Sequence, residues 1–198
     1  VDETVATKAA AALAEEMRRL LMAPSGDPPV DIDAGLRPEG KQGPLVRSLA
    51  SYAAYYERWS ATWEGQALLR AAFVAGDAEL GGQFMVLVDG LRWTGLLNAD
   101  ELTEVRRLKA RMEAERLPRG ANPNLHTKLG RGGLSDVEWV VQLIQMESAD
   151  KVPALRTTRT LVALTAAEAA GLIDAQDARE LAESWQLATA IRNAVMLV

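Results

Sequence analysis

The chain has 198 residues, 48% of them hydrophobic, which is enough for one large domain or two small ones around a sizeable core. A net charge of −5 argues against nonspecific binding to nucleic acid or to an anionic membrane, and no apolar run reaches the roughly 18 residues that a membrane span needs. The chain has no cysteine and one histidine, His126, which we expect in an exposed loop. This composition excludes disulfides, thiolate metal sites and multi-histidine metal clusters, and it fits a reducing compartment such as the cytoplasm.

The first predicted element is a helix over Thr4–Met22. The segment is rich in alanine, and its apolar residues fall mostly on one stripe with the charged residues elsewhere. A loop over Pro24–Pro29 follows. Because the chain starts without Met and ends in an apolar run without a helix stop, we expect a fragment of a longer protein.

A short acidic strand is predicted over Val30–Ala34, since two prolines before it forbid a helix there. On a strand, Asp31 and Asp33 share one face at roughly 6–7 Å, while Ile32 points into a core. Paired carboxylates on one face suit Mg²⁺, which prefers oxygen ligands. The alternative is a solvated edge strand with no ligand.

A glycine-rich loop and a second short strand, Leu45–Ser48, follow the acidic strand. The loop carries Arg37 and Lys41, and Arg47 comes soon after; with free backbone amides, these cations suit a polyphosphate. The alternative is a polar turn. The spacing also matches a P-loop, but Gln42 stands where the metal-binding Ser or Thr is needed, so we exclude that motif.

From residue 51 onward the pattern is helical. Asn98 with Glu101, and Ser135 with Glu138, have the spacing of capping boxes. The predicted helices span 51–75, 77–91, 99–117, 135–148, 158–171 and 174–198. We therefore divide the chain into an α/β part over 1–48 and a helical domain over 49–198.

A second cluster of candidate ligand-binding residues precedes the helix predicted from Ser135. Lys128 and Arg131 flank glycines, and Gly132 and Gly133 permit a close approach of the backbone. Free amides and the helix dipole at such a helix start favour an anion. The alternative is a solvated loop.

Four stretches in chain order carry a resemblance to a known family. They are Asp33-x-x-Leu36-Arg37-Pro38-x-Gly40-x-x-Gly43-Pro44, Thr62-Trp63-Glu64-x-Gln66-Ala67-Leu68-Leu69-Arg70, Val74-Ala75-Gly76-Asp77 and Lys128-Leu129-Gly130-Arg131-Gly132-Gly133-Leu134-Ser135-Asp136-Val137-Glu138-Trp139. They are spread between residues 30 and 146, and they resemble the glutamine synthetase adenylyltransferase family.

The resemblance implies a mainly α fold. It consists of the remnant of an α/β nucleotidyltransferase palm, similar to that of DNA polymerase β, and a helical domain shared with the uridylyltransferases of PII proteins. Such palms use three carboxylates. Asp33 matches the third, and Asp31 has no firm counterpart. The other two belong to a Gly-Ser-Asp-x-Asp signature that does not occur in these 198 residues, so we expect the chain alone to be inactive.

The resemblance also implies an activity, in which AMP passes from ATP to a tyrosine of glutamine synthetase with Mg²⁺ as cofactor. Asp33 is then the catalytic and metal-binding residue. The cations Arg37, Lys41 and Arg47 are candidates for contacts with the triphosphate. Lys128 and Arg131 are expected to close over the nucleotide.

Two alternatives remain open. The family carries a second module that removes AMP by phosphorolysis; the sequence Ser135-Asp136 before the apolar-Glu-aromatic triplet resembles the adenylylating module more closely. The helical part also suits a binding module without chemistry, which docks glutamine synthetase or a PII-type signalling protein.

Overall fold

The structure, a computed structural model, describes residues 3–24, 31–95 and 97–196. It divides into two compact units, residues 1–60 and 61–198. The predicted domain boundary near Leu49 falls at the first residue of a helix. The two compact units meet at residues 60 and 61, which need not coincide with a boundary between family domains, so the division at 48 and 49 stays a prediction.

The first unit holds two helices, α1 over Glu3–Leu21 and α2 over Leu49–Trp59, among its described residues. Helix α1 confirms the first predicted element and is followed by a turn at Met22. The predicted loop Pro24–Pro29 lies almost wholly outside the described residues. Helix α2 starts because the Ser48 side chain accepts the backbone N–H of Ser51 at 3.3 Å.

The two predicted strands are wrong where the structure describes them. Residues 31–34 and 46–48 form no regular secondary structure, and Val30 lies outside the described residues. The chain turns directly after Ala34, whose carbonyl accepts the N–H of Arg37 at 3.4 Å. A single turn of 3₁₀ helix, Gly40–Gln42, lies between the two segments. The argument that put Asp31 and Asp33 on one strand face therefore fails.

The second unit contains six α-helices within its described residues. They are α3 (Thr62–Leu68), α4 (Ala78–Arg92), α5 (Ala99–Arg116), α6 (Leu134–Ser148), α7 (Thr160–Ala169) and α8 (Ala175–Met196), with a 3₁₀ turn over Pro153–Leu155. The mainly α fold class is thereby confirmed. None of the helices described is long and apolar enough to cross a membrane.

The helix predicted over 51–75 is two helices. Ser60 and Ala61 are extended, and the carboxylate of Glu64 accepts the N–H of Ala61 at 3.0 Å, which starts α3 afresh. The capping box of Asn98 and Glu101 is confirmed by both of its hydrogen bonds.

The capping box of Ser135 and Glu138 is wrong. Helix α6 begins at Leu134, one residue before the predicted cap, with Gly133 as N-cap. Ser135 therefore lies inside the first turn of α6 and is not its N-cap residue.

Two buried clusters form the core of the second unit. One contains Leu69, Trp93, Met146, Ala149, Leu155 and Ala167. The other joins α6, α7 and α8 through Val141, Ala163, Leu164 and Ala178. Helices α6, α7 and α8 all pack against one another.

A buried amide side chain ties α6 to the segment that follows it. Gln145 is 3% exposed and donates through Nε2 to the carbonyls of Leu155 and Thr157, each at 2.7 Å. These carbonyls belong to a connection between two helices, where no regular ladder satisfies them.

We expect Gln145→Met to lower the free energy of unfolding by about 2 kcal/mol, because it keeps the side-chain volume but leaves both carbonyls without this donor. Gln176→Met is the matched control, since Gln176 is exposed and makes only a hydrogen bond to Glu180 one turn later. The measurement is urea denaturation of both variants. Equal stability of the two would show that the Gln145 bonds contribute nothing.

Candidate functional site

The carboxylates of the acidic segment lie at the entrance to the glycine-rich loop of the first unit. Asp31 and Asp33 are both exposed. One oxygen of Asp33, Oδ1, accepts the backbone N–H of Gly35 at 2.8 Å. This bond fixes the side chain beside its own turn and leaves Oδ2 for a ligand.

The side chain of Arg37 joins the two ends of the glycine-rich loop by hydrogen bonds to main-chain carbonyls. Its Nη1 donates to the carbonyl of Ala34 at 2.6 Å, and its Nε and Nη2 both donate to the carbonyl of Gly43, at 3.1 and 2.9 Å. A fourth bond joins Nη2 to the carbonyl of Lys41 at 3.2 Å. Most of the donors of this guanidinium are thus committed to main-chain acceptors, which favours a role in holding the loop.

The other two cations of the first unit differ in their surroundings. Lys41 is exposed on the 3₁₀ turn. Arg47 forms an ion pair with Glu39, and its guanidinium lies over the ring of Tyr55 at 5.6 Å from the centroid. The Arg47 Nε is buried without a hydrogen-bond partner among the described residues.

These cations also affect a neighbouring tyrosine. Burial raises the pKa of the Tyr52 hydroxyl, and the positive charges of Arg47 and Arg37 offset part of that rise. The hydroxyl is therefore neutral at physiological pH and adds no negative charge beside these two cations.

The oxygen atoms of this segment are the type of ligand that Mg²⁺ binds. Exposed carboxylate oxygens at Asp31 and Asp33 are ligands that Mg²⁺ takes together with substrate phosphates. Groups of three or more potential metal-binding side chains are absent from the described residues. Asp33, with Oδ2 open and Oδ1 anchored, is the better placed of the two.

The second predicted cluster precedes α6 in the second unit, and its amides are already occupied. The N–H groups of Leu134 and Ser135 donate to the carbonyls of Thr127 and Lys128, at 2.9 and 3.0 Å. The N–H of Gly132 donates to Oδ2 of Asp136 at 2.7 Å. The expectation of free amides at this helix start is therefore wrong, because the preceding loop folds back and satisfies them itself.

The glycines of this loop serve its own packing. A Cβ on Gly133 would meet the carbonyl oxygens of Thr127 and Gly130 at 2.7 and 2.8 Å, whereas Gly132 has open space and a φ of +71°. Lys128 and Arg131 are exposed and remain available to a ligand. The role of these four residues in nucleotide binding stays a prediction.

His126 forms part of the same turn. It is half-buried, and its Nδ1 accepts the N–H of Leu129 at 3.0 Å. The expectation of an exposed histidine is thus wrong, because the ring supplies an acceptor that the turn needs.

Sequence reasoning missed a polar network that joins α3 to α6 and α7. Glu138 does not cap α6; its carboxylate faces Arg70 at 3.8 Å, and Arg70 donates to the hydroxyl of Thr160 at 3.0 Å. Gln66 donates to Gln142 at 2.9 Å beside them. These pairs are 68 to 90 residues apart, so no local spacing could have indicated them.

Comparisons with known proteins agree along the whole chain. Residues 2–86 match the family model described as glutamate-ammonia ligase adenylyltransferase, and residues 97–198 match that of the GlnD PII-uridylyltransferase. Proteins named bifunctional glutamine synthetase adenylyltransferase/adenylyl-removing enzyme are similar over all of the chain. The identity is 65% in Streptomyces avermitilis, 61% in Streptomyces coelicolor and 56% in Mycobacterium avium. The chain spans 20% of the length of each of these relatives.

The close approach at Gly133 predicts the effect of a single methyl group. We expect Gly133→Ala to lower the free energy of unfolding by about 1–3 kcal/mol, since its Cβ would press on two backbone carbonyls that cannot move independently. Gly90→Ala is the control; Gly90 lies in α4 with nothing within 4 Å of a new Cβ, and alanine there should stabilise by about 0.5–1 kcal/mol. Thermal unfolding measures both changes, and a neutral Gly133→Ala would contradict this packing.

Proposed function

Because the chain belongs to the glutamine synthetase adenylyltransferase family, we propose that it is part of an enzyme that transfers AMP from ATP to a tyrosine of glutamine synthetase. The observation that carries this proposal is the similarity over the whole chain to relatives of that name. The enzyme would regulate nitrogen assimilation and act in the cytoplasm, which suits a chain without cysteine.

In the proposed reaction the tyrosine oxygen bonds to the α-phosphorus of ATP. The bond from that phosphorus to the oxygen bridging the α- and β-phosphates breaks, and pyrophosphate leaves. Oδ2 of Asp33, which the turn leaves open, would bind Mg²⁺, and the second lone pair of Oδ1 would accept the proton of the tyrosine hydroxyl. Mg²⁺, when bound, would neutralise phosphate charge and lower the pKa of that hydroxyl. Asp31 would assist as a second, weaker ligand.

The cations divide into two proposed roles. Lys41, which is exposed, and Arg47, which is partly exposed, would contact the triphosphate. Arg37 would instead position Asp33, because its guanidinium already binds the carbonyls on both sides of the loop. Lys128 and Arg131 would supply further positive charge to the nucleotide.

The module is proposed to be the adenylylating one, on the resemblance of Ser135-Asp136 and the residues after it. A second function for the helical part is favoured by the match of residues 97–198 to a model named for the uridylyltransferase of PII. On this basis a PII-type signalling protein is a candidate partner of that part. Docking of such a protein would leave the chemistry to the segment around Asp33.

The role of Asp33 predicts a sharp effect in the complete enzyme. Asp33→Asn keeps an oxygen that can accept the Gly35 N–H, so the fold should survive, but it removes the charge that holds Mg²⁺. We expect adenylyl transfer to fall by more than the roughly 10–100-fold that outer-shell partners of metal ligands contribute. Asp31→Asn, as the matched control, should have a smaller effect. The measurement is AMP incorporation into glutamine synthetase by mass spectrometry, and near-normal turnover of Asp33→Asn would exclude this assignment.

The role of Arg37 predicts a separation of kinetic constants. Lysine carries one compact ammonium and cannot span the carbonyls of Ala34 and Gly43, so Arg37→Lys should lower kcat about tenfold and leave KM for ATP within about twofold. Lys41→Gln should do the reverse and raise KM for ATP. Faster hydrogen exchange in residues 34–43 of the Arg37 variant would report the loosened loop. A large rise in KM with kcat unchanged would instead make Arg37 a phosphate ligand.

A further inference from the structure

A groove with an apolar floor runs between α5 and α6 in the second unit. Its volume is about 260 Å³. Val105, which is 1% exposed, lies at its base, and Leu143 and the partly exposed Val140 form one side. Trp139 also lines it, and the Nζ of Lys109 lies over the Trp139 ring at 6.0 Å from its centroid.

The charged residues of the groove are Lys109, Asp136 and Arg106, and the first two are already paired. Lys109 forms ion pairs with both Asp136 and Glu113. Burial alone would lower the pKa of Lys109, but the hydrogen bonds to these two carboxylates raise it above its ordinary value. Lys109 therefore stays charged, and its charge is balanced within the protein.

Arg106 is different, because its own helix offers it no acid. The positions three and four residues away along α5, where a partner would have to stand, are occupied by Leu102, Thr103, Lys109 and Ala110. Among the described residues, no hydrogen bond or ion pair of the Arg106 guanidinium is formed. The groove thus combines an apolar floor, an indole ring and one guanidinium without an ion pair among the described residues.

We propose that this groove binds a small amphipathic monoanion, with an apolar group against Trp139 and a carboxylate on Arg106. The volume of the groove limits the size of the ligand. Small-molecule sites usually measure roughly 300–1,000 Å³, so a groove of about 260 Å³ holds a small ligand of one ring and a short chain. The planar guanidinium favours a carboxylate as the anionic group, since its paired N–H groups match the two carboxylate oxygens. This site is separate from the proposed transfer of AMP and does not depend on it.

The test uses 4-phenylbutyrate as probe and its neutral amide, 4-phenylbutyramide, as the matched uncharged molecule. The chain is prepared with 5-fluorotryptophan, and the ¹⁹F resonance of Trp139 is assigned from Trp139→Phe. We expect a saturable shift of that resonance with the acid, and binding about tenfold weaker for the amide, because a charge-assisted hydrogen bond is lost.

Two variants separate the groove from general positive charge. Arg106→Gln should weaken binding of the acid about tenfold and leave the amide unaffected. Arg107→Gln removes an exposed cation from the adjacent position of the same helix, which does not line the groove, and should change neither.

Three outcomes would overturn the proposal. They are the absence of a saturable shift at Trp139, equal affinity for acid and amide, and equal loss of affinity in Arg106→Gln and Arg107→Gln. The last result would assign the binding to diffuse charge along α5.

Discussion

The guanidinium of Arg37 is the contact on which the candidate catalytic segment depends. Apart from the 3₁₀ turn at Gly40–Gln42, residues 31–48 have neither a helix nor a strand ladder to satisfy their backbone, so the loop must find donors for its carbonyls elsewhere. Arg37 supplies them for Ala34, Lys41 and Gly43. With the loop closed in this way, the anchored carboxylate of Asp33 has a fixed main chain behind it, as a metal ligand requires.

The same constraint explains the loop before α6, where backbone carbonyls and one carboxylate satisfy the N–H groups. The carbonyls of Thr127 and Lys128 accept the first N–H groups of the helix, and Asp136 takes the N–H of Gly132. An anion at this helix start would have to displace bonds that already exist. Any contribution of this loop to nucleotide binding therefore rests on the exposed side chains of Lys128 and Arg131, and its glycines are explained by its own tight packing.

The helices could be predicted from the sequence because apolar periodicity and helix caps depend on neighbouring residues. The N–H of Glu101 donates to the side chain of Asn98, and the N–H of Asp177 donates to that of Asp174, each within four residues. The strand over Val30–Ala34 failed because a strand depends on a hydrogen-bonding neighbour that its own sequence cannot specify. The capping box at Ser135 failed for a similar reason, since the loop before it had already satisfied the helix start. In the candidate site, the sequence identified Asp33 through its resemblance to a family. The partners of Arg37 could not be predicted, because they are main-chain carbonyls, which every residue has.

The central claim is that Asp33 binds the metal of an adenylyl transfer while Arg37 holds its loop. A crystal structure of the complete enzyme with Mg²⁺ and a non-hydrolysable ATP analogue tests it most directly. The account predicts Oδ2 of Asp33 about 2.1 Å from Mg²⁺, with Arg37 still bonded to the carbonyls of Ala34 and Gly43. A metal held by other carboxylates with Asp33 turned to solvent, or Arg37 released from its loop and bonded to phosphate, would contradict it.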